Sequence, residues 1–348
     1  METKILRTFL VLILKITAAD NMTQVRPIRL LNTSYKIFSK IIVHRLCSVL
    51  QRLIGPYQNS FLKGRSTSNN ILIVQEAVHS MMNLKGRKGT VIAKIDLQKA
   101  YDNNGEITES LSPEQGLRQG DLLSPYLFIL VMKRLSHIIM EKVDREADSN
   151  QMQYMKGCLD EFSRAAGVEV NLLKSKLFIS PNISSSTAQY LSELCGIPLT
   201  DNLGTYLGVP IIHKRVNAGT YDSLIEKVMK RLAGWKGRVL TMAGRKTLIQ
   251  SVTNAIPIHM MKTSVLPVSV CRKLDRLNCN FLWGGDIVNA HNHLVSWEKV
   301  CQSKKTGGLG IRKARLMNIA LLAKNSWKLL TRQENLWCKV FEGKYLKK

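Results

Sequence analysis

Two aspartates in the stretch KIDLQKAYD, residues 94–102, have the residue type and spacing expected of a metal-binding site. Asp96 ends the apolar, β-branched run TVIAKID, residues 90–96, which predicts a short strand, and Asp102 follows six residues later. A carboxylate at the exposed end of a buried strand offers the hard oxygen ligands that Mg²⁺ prefers. A salt bridge at the strand edge would use the same residues, so the metal hypothesis depends on further ligands elsewhere in the chain.

A second stretch, EQGLRQGDLLSPY at residues 114–126, combines a pliable backbone with hydrogen-bond donors. Gly116 and Gly120 permit a backbone bend, and the neighbouring Arg118 and Gln119 carry donors. Pro125 suits the first turn of a helix, where an N–H group has no intrahelical acceptor. The pattern therefore predicts a bend that presents polar groups just before a helix.

Hydrophobic periodicity predicts an α+β organisation for about the first 200 residues and a basic helical region after them. The predicted strands are 9–14, 90–96, 168–171, 176–180 and 205–212. The predicted helices are 35–54, 68–82, 125–143, 151–165, 220–233, 242–255, 267–282, 314–330 and 335–346. The hydrophilic stretch DREADSN at 144–150 is the clearest junction between elements.

The net charge of +26 is distributed unevenly along the chain. Residues 1–200 carry 25 basic and 17 acidic side chains, whereas residues 201–348 carry 26 and 8. A positive field of this size attracts polyanions, of which nucleic acid is the commonest, although a merely solvated basic surface is the alternative.

The cysteines and histidines show no spacing typical of a structural metal. Seven scattered cysteines without a CxxC pair favour reduced, intracellular core residues. His291 and His293 are two apart and could begin a metal site, but no third ligand is in view, so a loop pair is favoured.

The apolar run FLVLIL at residues 9–14 predicts a buried strand. Its six residues fall short of the about 7–15 of a signal peptide, and Lys15 ends it. No run approaches the roughly 20 apolar residues that span a bilayer. We therefore expect a soluble intracellular protein, nuclear or cytoplasmic, with no membrane partner.

Eight blocks, in order, closely resemble the reverse transcriptase of non-LTR (LINE-type) retrotransposons of the plant kind. They cover nearly the whole chain: RPIRLLNTSYKIFSKIIVHRL (26–46), IGPYQNSFLKGRST (54–67), KIDLQKAYD (94–102), QGLRQGDLLSPYLF (115–128), GVEVNLLKSK (167–176), YLGVP (206–210), W…GR…L…GR…LI (235–249) and VSWEKVC…GGLGIR (295–312). Intron-encoded maturases, related polymerases, are less favoured because the 295–312 block is a LINE-type feature.

The resemblance implies a right-hand polymerase, an RNA-directed DNA polymerase that uses Mg²⁺, an RNA template and a DNA primer. It assigns residues 1–88 to fingers, 89–215 to a palm with internal deletions, and 216–348 to a basic helical thumb and connection region.

The resemblance also implies roles for individual residues around the reaction. Asp96 corresponds to the first catalytic, metal-binding aspartate, with the Leu97 carbonyl beside it. Lys174 or Lys176 would donate a proton to the leaving pyrophosphate. The incoming nucleotide would be lined by Tyr101, Arg118, Gln119 and Gly120, with Lys63 and Arg65 near its triphosphate.

Two further groups would hold nucleic acid. Tyr206, Leu207 and Gly208 match the hairpin that grips the primer. In GWKGRVLTMAGRKTLIQ, residues 234–250, the basic side chains of Lys236, Arg238, Arg245 and Lys246 are expected to contact phosphates while Trp235, Leu240 and Leu248 pack inward. An ordinary pair of basic amphipathic helices would show the same sequence pattern.

The chain departs from the family where the metal site is completed. The Ala-Asp-Asp box is missing, since no two aspartates are adjacent and only DREADSN stands in its place. Asp160-Glu161 is a poor substitute for the missing box, because it lies in a stretch of helical periodicity. In addition, only thirteen residues separate Asp102 from Gly116, which is too few for the family's palm helix. These gaps predict a pseudo-enzyme that does not bind Mg²⁺ productively, or a gene whose exons are misassigned.

Two other outcomes are open at the level of sequence. The chain could be a residual nucleic-acid-binding protein that acts through its basic helical region. A palm without its central hairpin could also leave sheet edges and apolar faces exposed, which favours aggregation.

Overall fold

The computed structural model describes residues 9–15, 18, 20–21, 24–86, 89–97, 120–143, 151–212, 216–233, 240–284 and 293–346. Several sequence predictions fall outside these residues: Tyr101, Asp102, Arg118, Gln119, Trp235, Lys236, Arg238, His291 and the 144–150 junction. The chain divides into two compact units, the first formed by residues 1–67 and 80–203 and the second by residues 68–79 and 204–348.

The described part is mostly helical, with three small two-stranded antiparallel sheets. Strands of the first unit are β1 (Phe9–Leu14), β2 (Val25–Leu30), β3 (Val91–Lys94) and β4 (Lys176–Ile179), paired as β1–β2 and β3–β4. Its helices are α1 (Thr33–Leu53), the ends of α2 (Thr67–Met82), α3 (Ser124–Val143), α4 (Gln151–Ala166) and α5 (Ser185–Cys195).

Three separate apolar clusters hold the first unit together. The first joins α1 to α3 and comprises Leu50, Ile54, Leu62 and Ile129. The second packs α4 and α5 against the β3–β4 pair and comprises Met152, Leu177, Cys195 and Ile197. The third joins α3 to α4 and comprises Ile138, Cys158 and Phe162. The strand that carries Asp96 therefore rests on small local cores.

The prediction of a buried strand at 9–14 was half wrong. The strand forms, in register from Phe9 opposite Leu30 to Leu14 opposite Val25, but all six of its residues are exposed. Phe9 is 80% exposed because a two-stranded sheet without a covering layer leaves its side chains open. The apolar stripe of α1 is also largely exposed, including Ile37, Phe38, Ile41 and Ile42.

The second unit consists of a short hairpin and many helices. The hairpin pairs β5 (Thr205–Tyr206) with β6 (Val209–Pro210). The helices are α6 (Asp222–Leu232), α7 (Met242–Leu248), α8 (Ile258–Met261), α9 (Val268–Leu282), α10 (Trp297–Val300), α11 (Ala314–Leu330) and α12 (Leu336–Phe341). A π-helical turn extends α7 through Ile249–Thr253, and another extends α12 through Glu342–Leu346.

One large core stabilises this unit. The amphipathic helix α6 buries Leu224, Ile225 and Val228 against α9, which is itself buried along most of its length. Ile71 from the middle of α2 belongs to the same core. At about 25 cal/mol per Å² of apolar surface, burial on this scale dominates the stability of the unit.

Two local predictions need correction. The stretch 205–212 is a hairpin, not one strand, because Leu207 and Gly208 both adopt positive φ and reverse the chain. Helix α5 was not predicted, although Ser184 accepts the Thr187 N–H at its start and Gly196 ends it with φ 68°. None of the helices in the described ranges combines the length and apolar character needed to cross a membrane.

Candidate functional site

Asp96 lies two residues after the end of β3 and is fixed through its backbone. Its N–H donates to Ser175 Oγ at 3.0 Å, and its carbonyl accepts the Asn171 N–H at 2.8 Å. The Ser175 hydroxyl in turn donates to the Asn171 carbonyl at 2.8 Å, and Leu97 bridges to Val170. The Asp96 side chain is exposed, so the fold holds its position while the carboxylate faces solvent.

The turn against Asp96 carries Lys174, one of the two predicted proton donors. The Lys174 N–H donates to Asn171 Oδ1 at 3.1 Å, and its side chain is exposed. The other predicted donor, Lys176, lies directly opposite Lys94 on β4. The fold therefore places the predicted metal ligand, Asp96, in the same region as the two predicted proton donors.

The charges around Asp96 in the described residues are cationic. Burial lowers the pKa of Lys94, the like charge of Lys176 lowers it further, and Asp96 partly offsets both effects. Lys94 Nζ also donates to the Leu203 carbonyl at 3.1 Å. The sequence analysis did not single out Lys94, although its position two residues before Asp96 places it on the same face of the strand.

The described residues do not fit a two-metal centre by themselves. Among them, no group of three or more His, Cys, Asp or Glu side chains lies close enough together to hold a metal ion. Asp160 and Glu161 lie on helix α4, as the periodicity predicted, and Glu161 pairs with Arg134 at 3.4 Å and Lys142 at 3.5 Å.

The predicted bend before α3 is present at Gly120. Its φ is 104°, and a Cβ there would lie 2.8 Å from the Arg29 carbonyl, so both conformation and space require glycine. Beside it, Asp121 Oδ1 accepts the Leu123 N–H at 3.0 Å and Oδ2 accepts the Tyr35 hydroxyl at 2.8 Å. Asp121 was missed from sequence, although an Asp shortly before a helix is a usual turn signal.

Arg65 is engaged with its own loop. Its guanidinium donates to the carbonyls of Gly55 at 2.5 Å, Gln58 at 2.8 Å and Ile54 at 2.9 Å. Burial lowers the pKa of Arg65. Lys63, by contrast, is exposed two residues earlier. The loop that was expected to meet a triphosphate therefore uses its arginine for internal bonds and presents its lysine.

The 205–210 hairpin presents a two-residue tip. Leu207 has φ 50° and Gly208 has φ 80°, and both are exposed. Tyr206 packs against the main core, and burial raises the pKa of its hydroxyl, which the side chain of Asn70 partly counteracts. Of the three residues predicted to grip the primer, Leu207 and Gly208 are thus exposed to a partner, while Tyr206 anchors the turn.

Arg245 and Lys246 lie on α7, half-buried. Leu240 and Leu248 pack against the main core, which confirms the predicted inward side of this segment. The Nε of Arg245 is buried without an acceptor among the described residues, and its guanidinium lies against Gly284. A buried donor without an acceptor costs about 1–3 kcal/mol, so the burial of this Nε is unfavourable by itself.

His293 is placed beside a buried thiol. Its Nδ1 lies 3.6 Å from Cys279 Sγ, and its Nε2 lies 3.2 Å from Asn280 Oδ1. Burial raises the pKa of Cys279, so the pair involves a protonated thiol. The contact is consistent with a packing role for this histidine.

A family model described as reverse transcriptase (RNA-dependent DNA polymerase) matches residues 14–103 of the chain. The match includes β2, α1, α2, β3 and Asp96, and it begins at the last residue of β1.

Three relatives extend the comparison. An Arabidopsis thaliana protein named as a ribonuclease H protein is 43% identical over 137 residues, 39% of this chain and 22% of that relative. An uncharacterized 149 kDa protein of the Xenopus laevis transposon TX1 is 25% identical over 351 residues, 82% of this chain and 26% of its own length. An uncharacterized mitochondrial protein of Arabidopsis thaliana is 32% identical over 92 residues, 26% of this chain and 60% of its own length.

The chain spans about a quarter of the length of the first two relatives. The family match supplies the polymerase pattern around Asp96, and the transposon relative extends the likeness over 82% of the chain. By these comparisons the chain is similar to reverse transcriptases over residues 14–103 and to a transposon-encoded protein over most of its length.

Proposed function

We propose that this chain is a reverse transcriptase-like protein that no longer synthesises DNA. The proposal rests on the absence, among the described residues, of any cluster of three or more His, Cys, Asp or Glu side chains that could hold a metal ion. The sequence contains no adjacent pair of aspartates, and the charge of Lys94 lies close enough to interact with Asp96. In this proposal residues 1–88 correspond to fingers, 89–215 to an incomplete palm and 216–348 to a thumb and connection region.

The chemistry of nucleotidyl transfer explains why one carboxylate is insufficient. Reverse transcriptases use Mg²⁺, and two-metal sites of this kind hold their ions about 3.5–4 Å apart to stabilise both reacting oxygens. A single Asp96 carboxylate, facing solvent and lying near Lys94, would hold neither ion firmly. Losing that arrangement removes much of the ~8–23 kcal/mol by which enzymes lower a barrier.

In this proposal the remaining residues of the polymerase site would keep their positions, although the reaction that they served would no longer occur. Leu97, Tyr101, Arg118, Gln119 and Gly120 would form the former nucleotide site, with Lys63 and Arg65 at its edge. Lys174 or Lys176 would be the former proton donor. Leu207 and Gly208 would contact a DNA primer paired to an RNA template, and the protein would work in the nucleus or the cytoplasm.

Primer extension tests the loss of activity. Full-length protein, an RNA template with a DNA primer, deoxynucleotides and Mg²⁺ should give no incorporation above background, with Asp96→Ala giving the same trace. Asp160→Ala is the matched control, because Asp160 is an exposed aspartate on α4. Incorporation by wild type and the control that disappears only in Asp96→Ala would contradict the proposal. Cooperative urea unfolding of all three proteins establishes that they are folded.

We further propose that the chain retains nucleic-acid binding through its second half. Residues 201–348 carry 26 basic and 8 acidic side chains, and Arg245 and Lys246 are only half-buried on α7. The accessible parts of these two cationic side chains would contact phosphate oxygens. Lys236 and Arg238 are assigned to the same phosphate surface by their place in the motif.

A salt titration with fluorescein-labelled single-stranded RNA tests this second proposal. Affinity should fall with log salt at about −0.7 per phosphate contact, and Arg245→Ala and Lys246→Ala should each reduce that slope by about 0.7. Lys227→Ala, an exposed lysine on α6, is the control and should leave the slope unchanged. An unchanged salt slope in both Arg245→Ala and Lys246→Ala would show that these residues do not contact the RNA.

A further inference from the structure

Helix α11 (Ala314–Leu330) carries apolar side chains on two opposite faces, one packed against the core and the other exposed. The outward face carries large side chains that are 53–75% exposed: Leu316 63%, Ile319 53%, Trp327 66% and Leu330 75%. Ala320 and Ala323, also exposed, lie between them. We call these six residues the outer stripe. A helix that is hydrophobic all round is usually buried on all sides, so an exposed stripe indicates a missing neighbour.

The rotation of α11 is fixed by the opposite face. Asn318 is buried, accepts the Leu266 N–H at 2.9 Å, and donates to the carbonyls of Met261 at 2.8 Å and Ser264 at 2.9 Å. Seven residues later, Asn325 donates to the Lys262 carbonyl at 2.6 Å. Turning the outer stripe inward would break these bonds and bury unpaired amides, so the stripe stays outward.

The spacing of the outer stripe matches a helical partner. Leu316, Ala323 and Leu330 repeat every seven residues, with Ile319 and Trp327 between them. At 1.5 Å per residue the stripe is about 21 Å long, enough for two heptads of a packed helix. A surface with five aliphatic side chains and one aromatic side chain, arranged at heptad spacing, suits an apolar helix face better than nucleotide bases, which prefer several flat aromatic partners.

The charges beside the stripe indicate the chemistry of that partner. Arg315 and Lys324 lie on opposite edges of the stripe, and α11 contains no acidic residue. A second copy of α11 would bring like charges together along both edges, which disfavours self-pairing. We propose that the outer stripe docks an acidic amphipathic helix of a partner protein, with apolar residues at heptad spacing flanked by Asp or Glu.

The probe for this proposal is a synthetic two-heptad helical peptide with leucines along one face and glutamates on both flanks. Its binding to the full chain is followed by fluorescence anisotropy of a label on the peptide. Trp327→Glu and Leu330→Glu should each weaken peptide binding at least about tenfold. The double variant Arg315→Glu with Lys324→Glu should weaken it to the same extent. Increasing salt should also weaken the complex of the wild-type protein with the peptide. Leu294→Glu, on a residue 83% exposed elsewhere, is the matched control and should bind normally.

Three outcomes would overturn the proposal. Peptide binding that is equal in Trp327→Glu, Leu330→Glu and wild type would place the peptide elsewhere. Failure to bind the peptide, together with stripe-dependent binding to phosphatidylglycerol vesicles, would make the stripe a lipid-facing surface. A stripe-dependent dimer in sedimentation would make the occupant a second copy. RNA affinity measured on the same variants should be unchanged by Trp327→Glu, which separates this proposal from the nucleic-acid one.

Discussion

At the scale of single residues, the thiol of Cys301 is the most strongly perturbed titratable group in the described chain. Burial first, and the nearby Asp275 next, raise its pKa from the ordinary 9.0 to about 12, against a smaller opposing effect of Lys313. The environment therefore favours the neutral thiol, which fits a packing residue more than a nucleophile.

This shift predicts a loss of stability at high pH. The folded state holds the Cys301 proton more tightly, so the unfolded chain ionises first, and the free energy of unfolding falls as pH rises from about 9 to about 12. Cys301→Ala should lose less stability than wild type over that range. Urea unfolding at neutral pH and again above pH 9.0 measures both slopes, and equal slopes would contradict the assignment.

A second residue-scale prediction concerns Glu76, which is buried and bonded to the side chains of Lys344 and Tyr345. Burial raises the pKa of Glu76, but the bonds from Lys344 and Tyr345 outweigh it and lower the pKa overall. The pairing therefore stabilises the fold at neutral pH, and this contribution is lost as pH falls below the ordinary carboxyl range.

Glu76→Gln should lower the free energy of unfolding by about 1–2 kcal/mol at neutral pH, because hydrogen bonds to charged groups are stronger than neutral ones. Glu298→Gln is the control, since Glu298 pairs with Lys313 but is 81% exposed. The control should change stability less, because water and salt screen an exposed pair. A larger effect at Glu298 than at Glu76 would refute the burial argument.

At the scale of elements, the 205–210 hairpin shows a conflict between residue and conformation. Both tip residues have positive φ, the pattern of a two-residue type I′ turn, which favours Asn-Gly. Leucine at 207 is therefore strained by about 1 kcal/mol. Such strain at an exposed tip is consistent with selection for contact with a partner.

Leu207→Asn should raise the free energy of unfolding by about 0.5–1 kcal/mol, because asparagine tolerates the left-handed region. If the tip contacts a primer, the same change should weaken binding to a primer–template duplex. Leu294→Asn, also an exposed leucine, should give no gain in stability. Chemical denaturation of the three proteins decides the matter, and a destabilised Leu207→Asn would show that the leucine is packed.

At the scale of the whole molecule, the two units differ in how well they cover their apolar surface. The second unit has one continuous core, whereas the first has three small clusters and leaves β1 and much of α1 exposed. Contiguous exposed apolar surface favours association.

Phe38→Lys together with Ile41→Lys should therefore reduce aggregation without lowering stability, because both side chains are more than half exposed. Surface substitutions of this kind change stability by no more than about 0.5 kcal/mol. Static light scattering against concentration measures association, and urea unfolding checks the fold. Ile129→Lys, at a fully buried position, is the contrast and should unfold the protein. Unchanged scattering in the double variant would show that another surface causes the association.

The sequence by itself determined most helices, the position of Asp96 just after a strand, and a likeness to reverse transcriptases. These depend on local patterns: the heptad-like spacing of α9 and α11, the β-branched run before Asp96, and ordered motifs that span the chain. Its glycines, Gly116 and Gly120, also predicted a bend before α3, and the structure then showed at Gly120 a φ of 104° and a close approach to the Arg29 carbonyl.

Only the tertiary structure decided which of these residues have partners. Periodicity predicts an apolar face but not whether another element covers it, so β1 was expected to be buried and is exposed. Side-chain bonds between distant residues, such as Tyr35 to Asp121, and backbone bonds that join Asp96 to the 171–175 turn have no local signature. The free energy of such contacts depends on distances across the fold, which adjacent residues do not encode.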